Sequence, residues 1–141
     1  MTEAPASTAT ATSDSDASLR AVLEGFPGLL LAIVFGSVAQ GRATPSSDLD
    51  LAVAARHALS AEQKMTLINA LASRTGRPVD LIDLHTVGQP LLGQIVRHGR
   101  RVLGSAAAHG QLISRHLTEQ ADFMPLLNRI LKERRHAWIG K

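Results

Sequence analysis

Two aspartates at alternate positions, Asp48 and Asp50, follow the pair Gly36-Ser37 after ten intervening residues. Side chains alternate between the two faces of a β-strand, so both carboxylates are expected to point the same way. Two like charges on one face repel each other unless a cation lies between them, and carboxylate oxygens are ligands that Mg²⁺ prefers. Gly36 leaves bare backbone for a close approach, and Ser37 offers a hydroxyl and an N–H to phosphate oxygens. The sequence therefore predicts a combined metal and phosphate site.

The surrounding residues predict the elements that must hold this site. An apolar run over Leu29–Phe35 indicates a buried strand, and a second strand is expected to begin at Asp48. Ser60 and Gln63 form a capping-box pattern that starts a helix, which Gly76 ends. The other predicted elements are a short helix after residue 17, a helical turn at 37–40, a strand at 78–83, a helix at 90–98, a short strand at 101–103 and two C-terminal helices divided at Pro125. Together they predict an α/β (α+β) fold with a small sheet and flanking helices.

Length and composition limit what such a chain can be. Its 141 residues are enough for one compact domain, which we expect over residues 18–141. Residues 1–17 consist mostly of Ala, Thr, Ser and Asp and predict a disordered tail. The net charge of +3 and the absence of Tyr argue against a dedicated nucleic-acid binder. There is no secretory pattern and no apolar run of membrane-spanning length, so we expect a soluble, cytoplasmic protein with no membrane partner.

The possible metal ligands are limited as well. The chain has no cysteine, which leaves oxygen and histidine ligands. The six histidines show no zinc-site spacing, and we expect them at surface or interface positions.

The Gly-Ser pair followed by Asp-x-Asp resembles the signature of the nucleotidyltransferase superfamily that includes DNA polymerase beta. More narrowly, the stretch from Leu29 to Leu103 is similar to minimal nucleotidyltransferase (MNT) domains, in particular to MntA-type antitoxins encoded beside a HEPN-domain toxin. The resemblance implies the nucleotidyltransferase fold with a mixed, largely antiparallel sheet. It also implies Mg²⁺ and ATP as cofactors, and transfer of AMP onto a hydroxyl of the HEPN toxin, with a Tyr as the expected acceptor.

The resemblance also implies roles for individual residues. By this resemblance, Asp48 and Asp50 are expected to be catalytic metal ligands. Gly36 and Ser37 are expected to contact the triphosphate. Many relatives carry a basic or polar side chain at the places of Val38 and Gln40, and Arg42 is the expected substitute in this chain.

A third carboxylate is implied on the neighbouring strand, as a metal ligand beside the attacking hydroxyl. Asp80 and Asp83 are the candidates. Asp80 lies within an apolar run, where an unpaired charge is costly, and it faces the opposite way from Asp83. We therefore assign Asp80 to the site. The alternative makes Asp83 a strand-end cap and Asp80 a salt-bridge partner.

Two other functions stay open on the sequence alone. The chain could transfer AMP to a small molecule of the aminoglycoside type, which predicts a resistance phenotype without any partner protein. It could also be a catalytically weak antitoxin that binds its toxin and acts by occlusion. The residues at Val38 and Gln40 motivate this second alternative.

Overall fold

The computed structural model describes the backbone of residues 16–139 and their side chains except those of 123, 124 and 136–139. Residues 16–24 form helix α1. The following elements are β1 (Leu29–Phe35), α2 (Gly36–Ala39), β2 (Leu49–Ala55), α3 (Ala61–Thr75), β3 (Val79–Asp83), α4 (Leu91–His98), β4 (Arg100–Gly104) and α5 (Ala106–Ile139). Their order and type confirm the sequence prediction as far as β4.

The four strands form one sheet in the order β3-β2-β1-β4. β1 is antiparallel to both β2 and β4, whereas β2 and β3 are parallel. The parallel pair requires a crossover connection, and α3 supplies it. This arrangement confirms the mixed, largely antiparallel sheet of the prediction.

Each face of the sheet carries its own apolar core, because alternate residues of β1 point to opposite faces. The core on the α1 and α3 side includes Leu19, Leu23, Ala32, Val34, Leu51, Val53, Leu67, Leu71 and Leu81. The core on the α4 and α5 side includes Leu31, Ile33, Phe35, Ala52, Leu92, Ile95 and Leu112. The sheet is therefore covered by helices on both faces.

Helix α3 begins and ends as its sequence predicts. The Ser60 hydroxyl accepts a hydrogen bond from the Gln63 N–H at 3.1 Å, and the Gln63 side chain accepts one from the Ser60 N–H at 2.9 Å. Gly76 closes the helix in the left-handed conformation, with φ 69°. Both caps satisfy backbone groups that a helix end leaves unpaired, so they fix where the crossover begins and where β3 can start.

The prediction of two C-terminal helices is wrong. α5 runs without interruption from Ala106 to Ile139, with Pro125 inside it. Proline removes one N–H···O=C bond from a helix interior and usually breaks it. Here the chain continues as a helix, because the residues after Pro125 are mainly Leu, Arg, Lys and Glu, which favour helix.

The N-terminal tail is described only in part. Residues 16 and 17, the last two of the expected disordered segment, are helical and belong to α1. The rest of that segment lies outside the described residues.

Among the described helices, none combines the length and the apolar composition needed to cross a membrane.

Candidate active site

Asp50 and Asp80 lie side by side at one end of the sheet. In the parallel β2–β3 pair Asp50 is the register partner of Asp80, and in the antiparallel β1–β2 pair it is the partner of Phe35. Asp50 alternates with the core residue Leu51, and Asp80 alternates with Leu81. Both carboxylates therefore lie on the α4 and α5 face of the sheet.

Asp48 belongs to the same group of charges, although it precedes β2 by one residue. The pKa of Asp50 is raised above its ordinary value of 3.8, first by burial and then by the charges of Asp80 and Asp48. A hydrogen bond that the protonated Asp50 carboxyl donates to the Asp80 side chain adds to this effect. Asp50 is partly buried, whereas Asp48 and Asp80 are exposed. The structure thus brings the three sequence-predicted acids together as a mutually repelling set.

The position of the Asp50 carboxylate requires a glycine at residue 36. Its φ is +73°, a left-handed conformation that L side chains rarely adopt. A Cβ added to Gly36 would lie 2.1 Å from Oδ2 of Asp50. The sequence predicts that this glycine lets a ligand approach the backbone; the structure shows in addition that it makes room for the Asp50 carboxylate.

The residues assigned to the triphosphate lie on and just after α2, which follows β1 directly. Ser37 is partly buried within α2. Val38 packs against the core on the α1 and α3 side, so it is turned away from the carboxylates. Arg42 is exposed, and its Nη2 donates to the Gln40 side chain. The roles of Gly36, Ser37 and Arg42 toward phosphate stay predictions.

Asp83 has the capping role that the sequence analysis held open for it. It is 3% exposed, and its carboxylate accepts hydrogen bonds from the N–H groups of Leu59 at 2.8 Å and His85 at 2.9 Å. Asp80, in contrast, is exposed and lies opposite Asp50. The alternation of side chains along β3 separates these two roles.

His116 lies in an environment that its sequence did not predict, and Arg77 contacts the site although no sequence pattern pointed to it. His116 is 4% exposed, and its Nδ1 accepts a hydrogen bond from Nε2 of Gln89 at 3.1 Å. The prediction of a surface or interface position was wrong for it, because the α5 face that bears His116 packs on α4. Arg77 was missed altogether. It contacts the main chain next to Asp48, and a contact with carbonyl oxygens leaves no sequence motif.

The donor set fits a hard divalent cation. Its ligands are carboxylate oxygens, and a cation among them would relieve the repulsion that raises the pKa of Asp50. Among the side chains that the structure describes, no group of three or more His, Asp or Glu is arranged to hold a metal ion. Sharing one cation among all three acids would require their side chains to rotate.

Known proteins resemble this chain in both sequence and fold. The protein adenylyltransferase MntA of Shewanella oneidensis is 33% identical over 87 residues, which are 62% of this chain and 63% of that protein. A crystal structure of a toxin–antitoxin with AMP-PNP contains a chain that is 28% identical, with a TM-score of 0.68. The match covers 82% of this chain and 98% of that one. A crystal structure of the toxin–antitoxin MntA-HepT matches with 25% identity and a TM-score of 0.63, over 83% of this chain and 97% of that one.

The family assignment follows from the match to a family model together with the geometry. The family model described as "Polymerase beta, Nucleotidyltransferase" matches residues 17–107, a range that contains β1 to β4 and the three site carboxylates. The resemblance predicted from the Gly-Ser and Asp-x-Asp residues is thereby confirmed, and the chain belongs to the polymerase beta nucleotidyltransferase family.

Proposed function

We propose that this chain is a Mg²⁺-dependent adenylyltransferase that moves AMP from ATP onto a tyrosine hydroxyl of a HEPN-domain toxin, and that it acts in the cytoplasm as the antitoxin. The observation that carries the proposal is the placement of Asp50 opposite Asp80, with Asp48 beside them and Gly36 adjoining. The name of the relative MntA and the AMP-PNP in one similar toxin–antitoxin structure support the choice of nucleotide and partner.

Asp48, Asp50 and Asp80 would hold the divalent cation. When bound, Mg²⁺ neutralises charge on the phosphates and lowers the pKa of an attacking hydroxyl. Before the cation binds, burial and the charges of Asp80 and Asp48 raise the pKa of Asp50, so its ionised form is disfavoured relative to an isolated aspartate. The site is therefore prepared for positive charge.

The transfer forms one bond and breaks another. The acceptor oxygen bonds to the α-phosphorus of ATP, and the bond from that phosphorus to pyrophosphate breaks. The hydroxyl proton must leave the acceptor, and Asp80 is the carboxylate we assign to take it, because it is exposed and reachable from outside the sheet. Gly36 and Ser37 would orient the phosphates, and Arg42 would add a positive charge at the end of α2.

The exposure of the site supports a large acceptor. Asp48 and Asp80 are both exposed, so a hydroxyl on the surface of another protein can reach them. The aminoglycoside-type alternative requires a small acceptor to be held over this open face. We therefore favour a protein acceptor.

Labelled ATP tests the proposal directly. The purified chain is incubated with Mg²⁺, ATP labelled in the α-phosphate and the toxin encoded beside it. We expect label on the toxin, lost when its acceptor tyrosine is replaced by phenylalanine, and a reduction of about a hundredfold or more with Asp48→Asn.

Two controls separate this function from its rivals. Complex formation by the Asp48→Asn protein shows that the variant still folds and binds. A toxin silenced equally well by both proteins, without label, would instead establish occlusion. Label on an aminoglycoside and none on the toxin would establish the small-molecule reaction.

A matched pair of variants tests the division of roles on β3. Asp83→Ala should lower the free energy of unfolding by about 2 kcal/mol, because it leaves two backbone N–H groups without their acceptor. Asp80→Ala should not lower stability, because it removes a charge that repels Asp50, and it should abolish AMP transfer. Urea denaturation and the labelling assay measure the two effects. The assignment of Asp80 is wrong if Asp80→Ala retains wild-type transfer.

A further inference from the structure

The loop between α2 and β2 brings Asp48 to the site and is folded back on itself just before that residue. The Ser47 N–H donates to the carbonyl of Thr44 at 3.0 Å, and the Thr44 N–H donates to the Ser47 hydroxyl at 2.8 Å. These two bonds close a turn whose last residue, Ser47, directly precedes Asp48. The position of this turn therefore determines the position of the Asp48 backbone.

One side chain from another part of the chain holds both ends of the turn. Nη1 of Arg77 donates to the carbonyl of Thr44 at 2.6 Å and to the carbonyl of Ser47 at 3.0 Å. A guanidinium is planar and permanently charged, so its bonds to neutral carbonyls are charge-assisted. The ion pairs found among the described residues join other arginines to acids, which leaves Arg77 engaged with these carbonyls.

The backbone at Arg77 is itself fixed to α3 and to the sheet. The Arg77 N–H donates to the Thr75 hydroxyl at 3.3 Å, and that hydroxyl donates to the carbonyl of Leu71 at 2.8 Å. On the other side, the carbonyl of Pro78 accepts from the Leu49 N–H at 2.8 Å. Arg77 is thus anchored between the end of α3 and the start of β3, the strand that carries Asp80.

We propose that Arg77 is a positioning residue of the site: it fixes the turn before Asp48 and so sets the Asp48 carboxylate relative to Asp50 and Asp80. The metal part of this inference rests on the proposed function. The Arg77 side chain contacts main-chain carbonyls of the turn and not the reacting groups. It acts through the main chain of the turn, as residues behind metal ligands commonly do.

The direction in which cation affinity changes when Arg77 is removed distinguishes a positioning role from a purely electrostatic one. Arg77 carries a positive charge near a site that would bind a cation. If charge were its only contribution, removing it would strengthen cation binding, because a repulsion would be lost. If Arg77 holds the turn, removing it weakens cation binding, because Asp48 is no longer kept in place.

The experiment uses the full chain and Mn²⁺ as the probe, without nucleotide. Mn²⁺ binding is followed by electron paramagnetic resonance, and hydrogen–deuterium exchange is followed for a peptide covering residues 43–49. The variants are Arg77→Met, Arg77→Lys and, as a charge-matched control, Arg74→Met, since Arg74 is an exposed residue in the last turn of α3. Exchange in β1 and β2 reports whether each variant is folded.

We expect Arg77→Met to weaken Mn²⁺ binding about tenfold and to speed exchange in residues 43–49. Arg74→Met should change neither quantity. Arg77→Lys, which keeps a charged donor, should bind Mn²⁺ more tightly than Arg77→Met. The proposal is overturned if Arg77→Met is folded and binds Mn²⁺ as tightly as the wild type or more tightly.

Failure of the proposed function is distinguishable from failure of this inference. If the wild type bound no Mn²⁺ even with a non-hydrolysable ATP analogue present, the cation-dependent function would be wrong. The exchange of residues 43–49 would still decide the role of Arg77: faster exchange in Arg77→Met supports it, and unchanged exchange overturns it.

Discussion

Asp50→Asn is expected to reduce AMP transfer about a thousandfold or more, because it removes the carboxylate that is close to both of the other two. Asparagine has nearly the same shape, so the sheet should form as before. Initial rates of label transfer at saturating ATP, with varied Mg²⁺, measure the loss. Excess Mg²⁺ should not restore the rate, since a neutral amide cannot replace the lost negative charge.

The same variant should be more stable than the wild type at neutral pH when no divalent cation is present. Burial and the charges of Asp80 and Asp48 raise the pKa of Asp50 in the folded state above its ordinary value of 3.8. The folded protein therefore binds this proton more tightly than the unfolded chain does, and the ionised form costs stability. That cost disappears as the pH falls through the raised pKa and below 3.8.

Urea denaturation as a function of pH measures this difference. The stability advantage of Asp50→Asn should be largest near neutral pH and should shrink as the solution becomes acidic. A wild type that is more stable than the variant at neutral pH, without cations, would contradict the repulsion we infer. Added Mg²⁺ should stabilise the wild type and have little effect on the variant.

Gly36→Ala is expected to reduce transfer by at least about a hundredfold, because displacing a reacting or ligating group by roughly 1 Å costs that much. The new Cβ would lie 2.1 Å from Oδ2 of Asp50, so the carboxylate must leave its place. The φ of +73° adds a backbone cost of about 1 kcal/mol for any L side chain. Label transfer and urea denaturation measure the two consequences.

Gly41→Ala is the matched control for Gly36→Ala. Gly41 has a φ of +71°, nearly the same as Gly36, but an added Cβ there meets nothing within 4 Å. The backbone cost should be similar in the two variants, so their difference isolates the collision with Asp50. Combining Gly36→Ala with Asp50→Ala should recover the part of the stability that the collision costs, but not activity, because the collision partner is gone while the backbone cost remains. Equal losses in Gly36→Ala and Gly41→Ala would show that the collision is unimportant.

Local patterns in the sequence were enough to predict most of the fold and the centre of the site. The apolar run over Leu29–Phe35 and the Ser60 capping box each depend on neighbouring residues only, and the structure has both. The separation of Asp80 from Asp83 followed from alternation along one strand. The family signature then supplied the connection between Gly36 and the carboxylates, which are distant in sequence.

Features that depend on packing between distant segments could not be predicted. The contact of Arg77 with two carbonyls joins residues about thirty positions apart, and arginines of this kind usually lie in solvent. The burial of His116 depends on how α5 packs against α4, which helical periodicity does not determine. Pro125 is a strong local signal for a helix end, but the long helix continues through it.

The parallel pairing of β2 with β3 determines when the site can form during synthesis of the chain. Asp50 and its partner Asp80 are thirty positions apart, and all of α3 lies between them. Chains are made from the N-terminus, so a growing chain contains Asp48 and Asp50 before it contains Asp80. Competence for transfer should therefore arise only after β3 has been made and has paired with β2.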